Sequence, residues 1–360
     1  MVGEVREVLA GETATTPGAS RALTVSTVPS RAWASGERTK TNARPSSALE
    51  RKPGRFSPPA LSKRVGPVRR AGRKQPEIVD GALSMSTSTA APRTGYAPVG
   101  DLRMYYEVHG ESAGGTPLLL LHGGLFDIDL QFGALLPGLS AGRTVVAADF
   151  QGHGRTNDLD RPLSSAALAG DVVGLLRHLG LAQVDVFGFS VGGAVALHLA
   201  ITHPELVRRL VVSSVSFHPD GDRPENAEAV GAMTVDMIAG TPMAESYRAK
   251  SPHPDGLQGL LDKLGAFDDG PGWSDADIEG IAAPTLITVG DCDAVRLEHA
   301  VRFLRLRGGD VNGDFVGVPA SQLAVFPGST HFTGIARTTL VLDTVTTFLD
   351  TEPAGATVAG

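Results

Sequence analysis

From residue 100 onward, short apolar runs alternate with segments whose apolar residues recur every three or four positions. Few folds accommodate that alternation. Residues 104–108, 117–121, 144–148, 184–187, 210–215, 285–289 and 323–326 predict strands. Between the third and fourth of these, Leu168, Val172, Leu175, Leu176 and Leu179 give residues 163–179 one apolar helical face, and Gly180 stands where a helix usually stops. Short strands separated by helices cannot pair as hairpins, so the chain demands a mostly parallel sheet covered on both faces by helices.

One interval breaks the rhythm. Residues 216–283 contain no convincing strand and far exceed an ordinary connection of about 2–6 residues. Helix signals take their place. Asp222 or Pro224 can open a helix carrying Val230, Met233, Met237 and Ile238; Leu257, Leu260, Leu261 and Leu264 mark a second; Ser274 with Asp277 forms a capping pattern for a third. The expectation is a helical cap over the carboxyl edge of the sheet, where such sheets bind ligands. The core is then residues 85–215 and 284–350, the cap 216–283 and the tail 351–360.

Charge divides the chain differently. Residues 1–84 hold 15 Lys+Arg against 7 Asp+Glu, leaving 17 against 32 for the remainder, so a basic leader precedes an acidic body. Rich in Ser, Pro, Thr and Gly and poor in apolar periodicity, the leader reads as disordered. Its composition would suit a transit peptide, and Arg69-Arg70-Ala71-Gly72-Arg73-Lys74 a nucleic-acid tail. Translation from an upstream start, with Met85 opening the natural protein, accounts for it more simply. The leader lacks the apolar core of a secretory signal, no run of about 18 apolar residues could span a membrane, and Cys292 is the single cysteine. A cytoplasmic protein without nucleic-acid or membrane partners is expected, with its oligomeric state open.

Within the body, Ser190 lies in Gly188-Phe189-Ser190-Val191-Gly192, directly after one predicted strand and before the helix-like run Ala194 to Ala200. In a chain with 44 Gly, random order would give roughly 0.4 G-x-S-x-G matches, so the string needs its context. The context is that of a nucleophile elbow, a sharp strand-to-helix turn that lifts a serine hydroxyl above the sheet. A serine nucleophile also needs a base, an acid to orient it and N–H donors for an oxyanion. His122-Gly123-Gly124 follows a buried strand, so the N–H groups of Gly124 and Val191 suit the oxyanion hole. Gly290-Asp291-Cys292-Asp293 ends a strand and offers an acid; Gly328-Ser329-Thr330-His331 follows the last strand and offers the base. The order serine, acid, histidine matches one hydrolase topology.

On these motifs, together with Asp149-Phe150-Gln151-Gly152-His153-Gly154-Arg155-Thr156, residues 100–350 resemble the α/β-hydrolase superfamily. Small bacterial serine esterases, haloperoxidase-like enzymes and carbon–carbon bond hydrolases are the nearest types. The resemblance implies an α/β-hydrolase fold with a helical cap inserted after the sixth strand. It implies Ser190, Asp293 and His331 as the triad, with Asp291 the alternative acid, and His122 as a brace for the oxyanion turn. The family commonly has Gly where this chain has Thr330. Epoxide hydrolases and haloalkane dehalogenases are disfavoured because they need an aspartate at position 190.

The expected function is hydrolysis of a small-molecule carboxylic ester or lactone through an acyl-enzyme, without cofactor. Leu125, Phe189, Phe217, Met233, Met237 and Trp273 are candidate substrate contacts. A carbon–carbon hydrolase or perhydrolase is the alternative, the former needing cationic pocket groups, for which Arg223, Arg248 and Arg296 are candidates; a non-catalytic ligand receptor is the third. No metal site is expected, because His153, His198, His203, His218 and His253 have no ligand-like spacing. Asp149 and Arg155 are expected to stabilise neighbouring turns.

Overall fold

Leucine- and valine-rich runs bury both faces of a strand, and such runs form the middle of the sheet. The computed structural model describes residues 91–111, 114–267 and 270–351, all within one unit. The leader 1–84, the proposed start at Met85 and the tail beyond Thr351 lie outside the described residues. Eight strands form one sheet: β1 (Arg93–Val99), β2 (Leu102–His109), β3 (Leu118–Leu121), β4 (Val145–Ala148), β5 (Val184–Phe189), β6 (Val207–Ser213), β7 (Thr285–Cys292) and β8 (Gln322–Thr330). Their spatial order is β1-β2-β4-β3-β5-β6-β7-β8. From β4 to β8 every pairing is parallel, whereas β1 and β2 make an antiparallel hairpin at one edge.

β1 is an addition to the sequence reading. Pro98 and Gly95 weaken its strand pattern, and both are tolerated because β1 is an edge. With it in place, the long helical segment does follow the sixth strand. β3 lies between β4 and β5, so the chain leaves β3 to one side and later returns on the other. That reversal opens a crevice at the carboxyl ends of β3 and β5.

Side chains alternate across the sheet and divide the core in two. Leu119, Leu121, Val146, Ala148, Val184 and Val186 face one cluster; Leu118, Leu120, Val145, Ala147, Phe187 and Phe189 face the other. The first is covered by α3 (Ser165–His178), α4 (Val191–Thr202) and α9 (Leu297–Leu306), the second by α1 (Ile128–Phe132), α2 (Leu136–Leu139) and α12 (Thr338–Asp350). Ser164 caps α3 by accepting from Ala167 N, and Gly180, at φ 67°, ends the turn beyond it.

Between β6 and β7 lie α5 (Pro224–Gly231), α6 (Pro242–Lys250), α7 (Leu257–Gly265) and α8 (Asp275–Glu279). The expected first helix is shorter than its apolar pattern suggested. It stops at Gly231, leaving Met233 and Met237 in the irregular stretch beyond it, because α7 captures the following backbone: Val235 N donates to Gln258 Oε1 at 3.0 Å. α6 was not foreseen. The Ser274–Asp277 capping box is present at α8.

Lysines join this segment to the core. Lys250 of α6 meets Asp127 at 2.7 Å and Asp129 at 2.8 Å, and Lys263 of α7 meets Asp158 at 2.7 Å. At its root, Asp222 bridges to Val295, Arg223 N donates to Ala294 O at 2.9 Å and Arg296 N to Gly221 O at 2.8 Å. Among the described residues, no helix is long and apolar enough to cross a membrane.

Candidate active site

β5 ends in a turn that only small flanking residues can make. Ser190 holds φ 52° and ψ −118°, a strained conformation for a residue with a Cβ, and its N–H donates to Ser213 O at 2.9 Å. A Cβ on Gly188 would stand 2.1 Å from Gly192 O, and one on Gly192 would stand 2.1 Å from Leu121 O. Both glycines are steric requirements of the elbow. α4 begins at Val191, so its first N–H groups have no partner within the helix and point toward the serine.

His331 and Asp293 arrive from the ends of β8 and β7. His331 Nε2 lies 3.0 Å from Ser190 Oγ, and Nδ1 lies 2.8 Å from Asp293 Oδ1. Because the carboxylate can only accept, the ring proton belongs on Nδ1, leaving Nε2 bare to accept the serine proton. Thr330 explains itself here: at φ −92° it needs no glycine, and its hydroxyl accepts from Thr333 N to cap α11 (His331–Ile335). Asp293 has a fully buried side chain. Burial alone would raise its pKa, but hydrogen bonds from His331, Ser214 and Gly290 N hold it below the ordinary carboxylate range.

The β3 loop faces this group across the crevice. Leu125 takes φ 64°, turning the chain beside Gly124, and a Cβ on Gly124 would meet Leu264 of α7 at 3.1 Å and Val191 at 3.5 Å. His122 is buried beneath the turn. Phe150 N–H donates to its Nε2 at 3.0 Å, so Nδ1 carries the proton and donates to Gly123 O at 2.8 Å. Burial lowers its pKa to about 3, fixing the neutral ring. Asp149 accepts from Ile128 N at 3.0 Å and Arg155 N at 2.9 Å, tying two turns together.

A cavity of about 380 Å³ opens from Ser190 and His331, passing Ser214, Phe217, Leu264 and Trp273. Among the described residues no Lys or Arg lines it, while Asp222 does.

A model of the α/β hydrolase fold family matches residues 116–243. A meta-cleavage product hydrolase from Pseudomonas fluorescens IP01 superposes with a TM-score of 0.58 over 71% of this chain and 97% of that one, at 22% identity. This chain has the α/β-hydrolase fold. Among curated relatives, a pyrrolizixenacetamide deacetylase from Xenorhabdus hominickii is 36% identical over 114 residues, 32% of this chain and 42% of the relative. A putative carbamate hydrolase, RutD, from Caulobacter sp. (strain K31) is 34% identical over 118 residues, 32% of this chain and 44% of its own. The matched part spans less than half the length of either relative.

The α/β-hydrolase fold thus brings together Ser190, Asp293 and His331, with Gly124 and Val191 beside the serine. Asp291, the alternative acid, is not brought to His331: exposed, it accepts from Ser329 N at 3.0 Å. Of the candidate substrate contacts, Phe217 and Trp273 line the cavity. The other four are not part of its wall. Phe189 follows the strand alternation into the core, its ring 5.1 Å from that of His331; Leu125 turns toward the core; Met233 and Met237 lie outside the shortened α5. Arg223 and Arg296 turn their Nε groups to Asp293 O and Asp222 O, and Arg248 is exposed on α6. Ser214, with φ 52° and its Oγ 2.6 Å from Asp293 Oδ2, was missed, since nothing local separates it from Ser213 and Ser216.

Proposed function

We propose that this protein is a serine hydrolase that cleaves an uncharged carboxylic ester or lactone through an acyl-enzyme. The observation that carries the reading is the continuous hydrogen-bonded chain from Ser190 Oγ through His331 to Asp293. Ser190 Oγ attacks the substrate carbonyl while His331 Nε2 takes its proton; the N–H groups of Gly124 and Val191 hold the oxyanion. His331 then returns the proton to the leaving oxygen. Water, losing a proton to the same nitrogen, attacks the acyl-enzyme, and the acid is freed as His331 returns that proton to Ser190 Oγ. Removing one oxyanion donor typically costs about 10²–10³ in rate, so the oxyanion site would supply a large share of catalysis.

A cavity wall with a carboxylate and no Lys or Arg among the described residues favours a neutral substrate. The same wall argues against a carbon–carbon hydrolase, which must hold an anionic dienol carboxylate. The helical segment 216–283 acts as a cap in this reading. The names of the Xenorhabdus and Caulobacter relatives also support hydrolysis at an acyl centre. Ser190→Ala is expected to abolish p-nitrophenyl acetate hydrolysis and fluorophosphonate labelling while the fold survives. Unchanged turnover would refute the nucleophile, and an unlabelled wild-type protein would favour a receptor.

A further inference from the structure

We propose that Ser214 is a positioning residue for this reaction, holding the Asp293 carboxylate so that one oxygen stays aligned with His331; the inference rests on the reading of Ser190 and His331 as nucleophile and base. Four donors surround the carboxylate. His331 Nδ1 lies 2.8 Å and Val295 N 3.4 Å from Oδ1; Ser214 Oγ lies 2.6 Å and Gly290 N 3.1 Å from Oδ2. Ser214, on the residue after β6, is thus the side-chain partner of Oδ2. Arg223, from the helical segment, reaches the backbone oxygen of Asp293 rather than its carboxylate.

The backbone at this position indicates that the hydroxyl has a use. Ser214 holds φ 52°, where glycine would be unstrained, and its N–H is fixed to Thr288 O at 2.8 Å. A serine there retains strain and gains a short, charge-assisted hydrogen bond in a buried setting. When His331 takes the serine proton, the positive charge on its ring is balanced by Oδ1. The plane of the carboxylate decides how well. Without the Ser214 hydroxyl, Oδ2 keeps the Gly290 N–H, the carboxylate can rotate, and its basicity toward His331 rises.

Two variants separate positioning from a structural role. Ser214→Gly removes the hydroxyl and relieves the backbone; Ser214→Ala removes the hydroxyl and keeps the strain. Both are expected to lower kcat on p-nitrophenyl acetate by roughly 10- to 100-fold. Both should also shift the acid limb of the pH profile of kcat/KM to higher pH, with Ser214→Gly melting at or above the wild-type temperature. Retention of kcat within about twofold in Ser214→Gly overturns the inference, as does a loss of kcat with the acid limb unmoved. Failure of the underlying reading shows separately, as full turnover in Ser190→Ala.

Discussion

Asp291 and Asp293 are separated by one residue yet have opposite surroundings. The β7–β8 pairing shifts register between Gly290 and Cys292, leaving Asp291 exposed beside Ser329 N and turning Asp293 inward against His331. Asp293→Asn should therefore reduce kcat by about 10³–10⁴, since an amide no longer enforces the Nδ1–H tautomer. Asp291→Asn should leave kcat within about threefold; steady-state kinetics on one ester substrate decides, and the reverse ranking would displace Asp293. The meeting of Ser190 and His331 was legible because each follows a strand-like run directly. The proposed acid was harder, since two carboxylates stand at the end of the same strand and the resemblance rather than the local pattern favours Asp293; the register shift is what sets them apart in space. Ser214 gave no sequence signal, for its role depends on β6 ending beside β7.

Helix α6 belongs to the next scale. Its start was written in Thr241-Pro242, an N-cap before a proline at the first helical position, but its apolar side is only Met243, Ala244 and Tyr247, too short a stripe to stand out. What places it is Lys250, paired with the nearly buried Asp127, which also accepts from Ser246 and Leu130 N. Lys250→Met is expected to cost about 1–3 kcal/mol, because it leaves Asp127 with fewer donors in a buried setting. Chemical denaturation measures this. KM should rise several-fold with kcat little changed, as α6 is remote from the triad; an unaltered midpoint and KM would remove the contact from the account. Strands β2 to β8 were legible from apolar runs alone. β1 was not, since an edge strand can carry Pro98 and Gly95 without losing its partner.

For the whole molecule, buried histidines set the response to acid. Burial lowers His122 to about 3, His153 to about 4 and His299 to about 4. Unfolded, each would take up a proton near its ordinary 6.5, so their contribution to stability is present above that pH and is lost as pH falls toward 4. Asp149, raised to about 7 by burial, acts in the opposite sense over the same window, one carboxyl against three rings. The melting temperature should fall by several degrees from pH 6.5 to pH 4, and a flat profile from calorimetry would contradict this balance. The root of the helical segment carries a mechanical meaning. Residues 221–223 are fastened to Ala294, Val295 and Arg296, beside Asp293, whereas Lys250 and Lys263 hold the far side by side-chain contacts. Under the proposed function the segment would be a door hung on the frame of the reaction centre and latched opposite, its hinge keeping Asp293 still while the far side gives way to traffic.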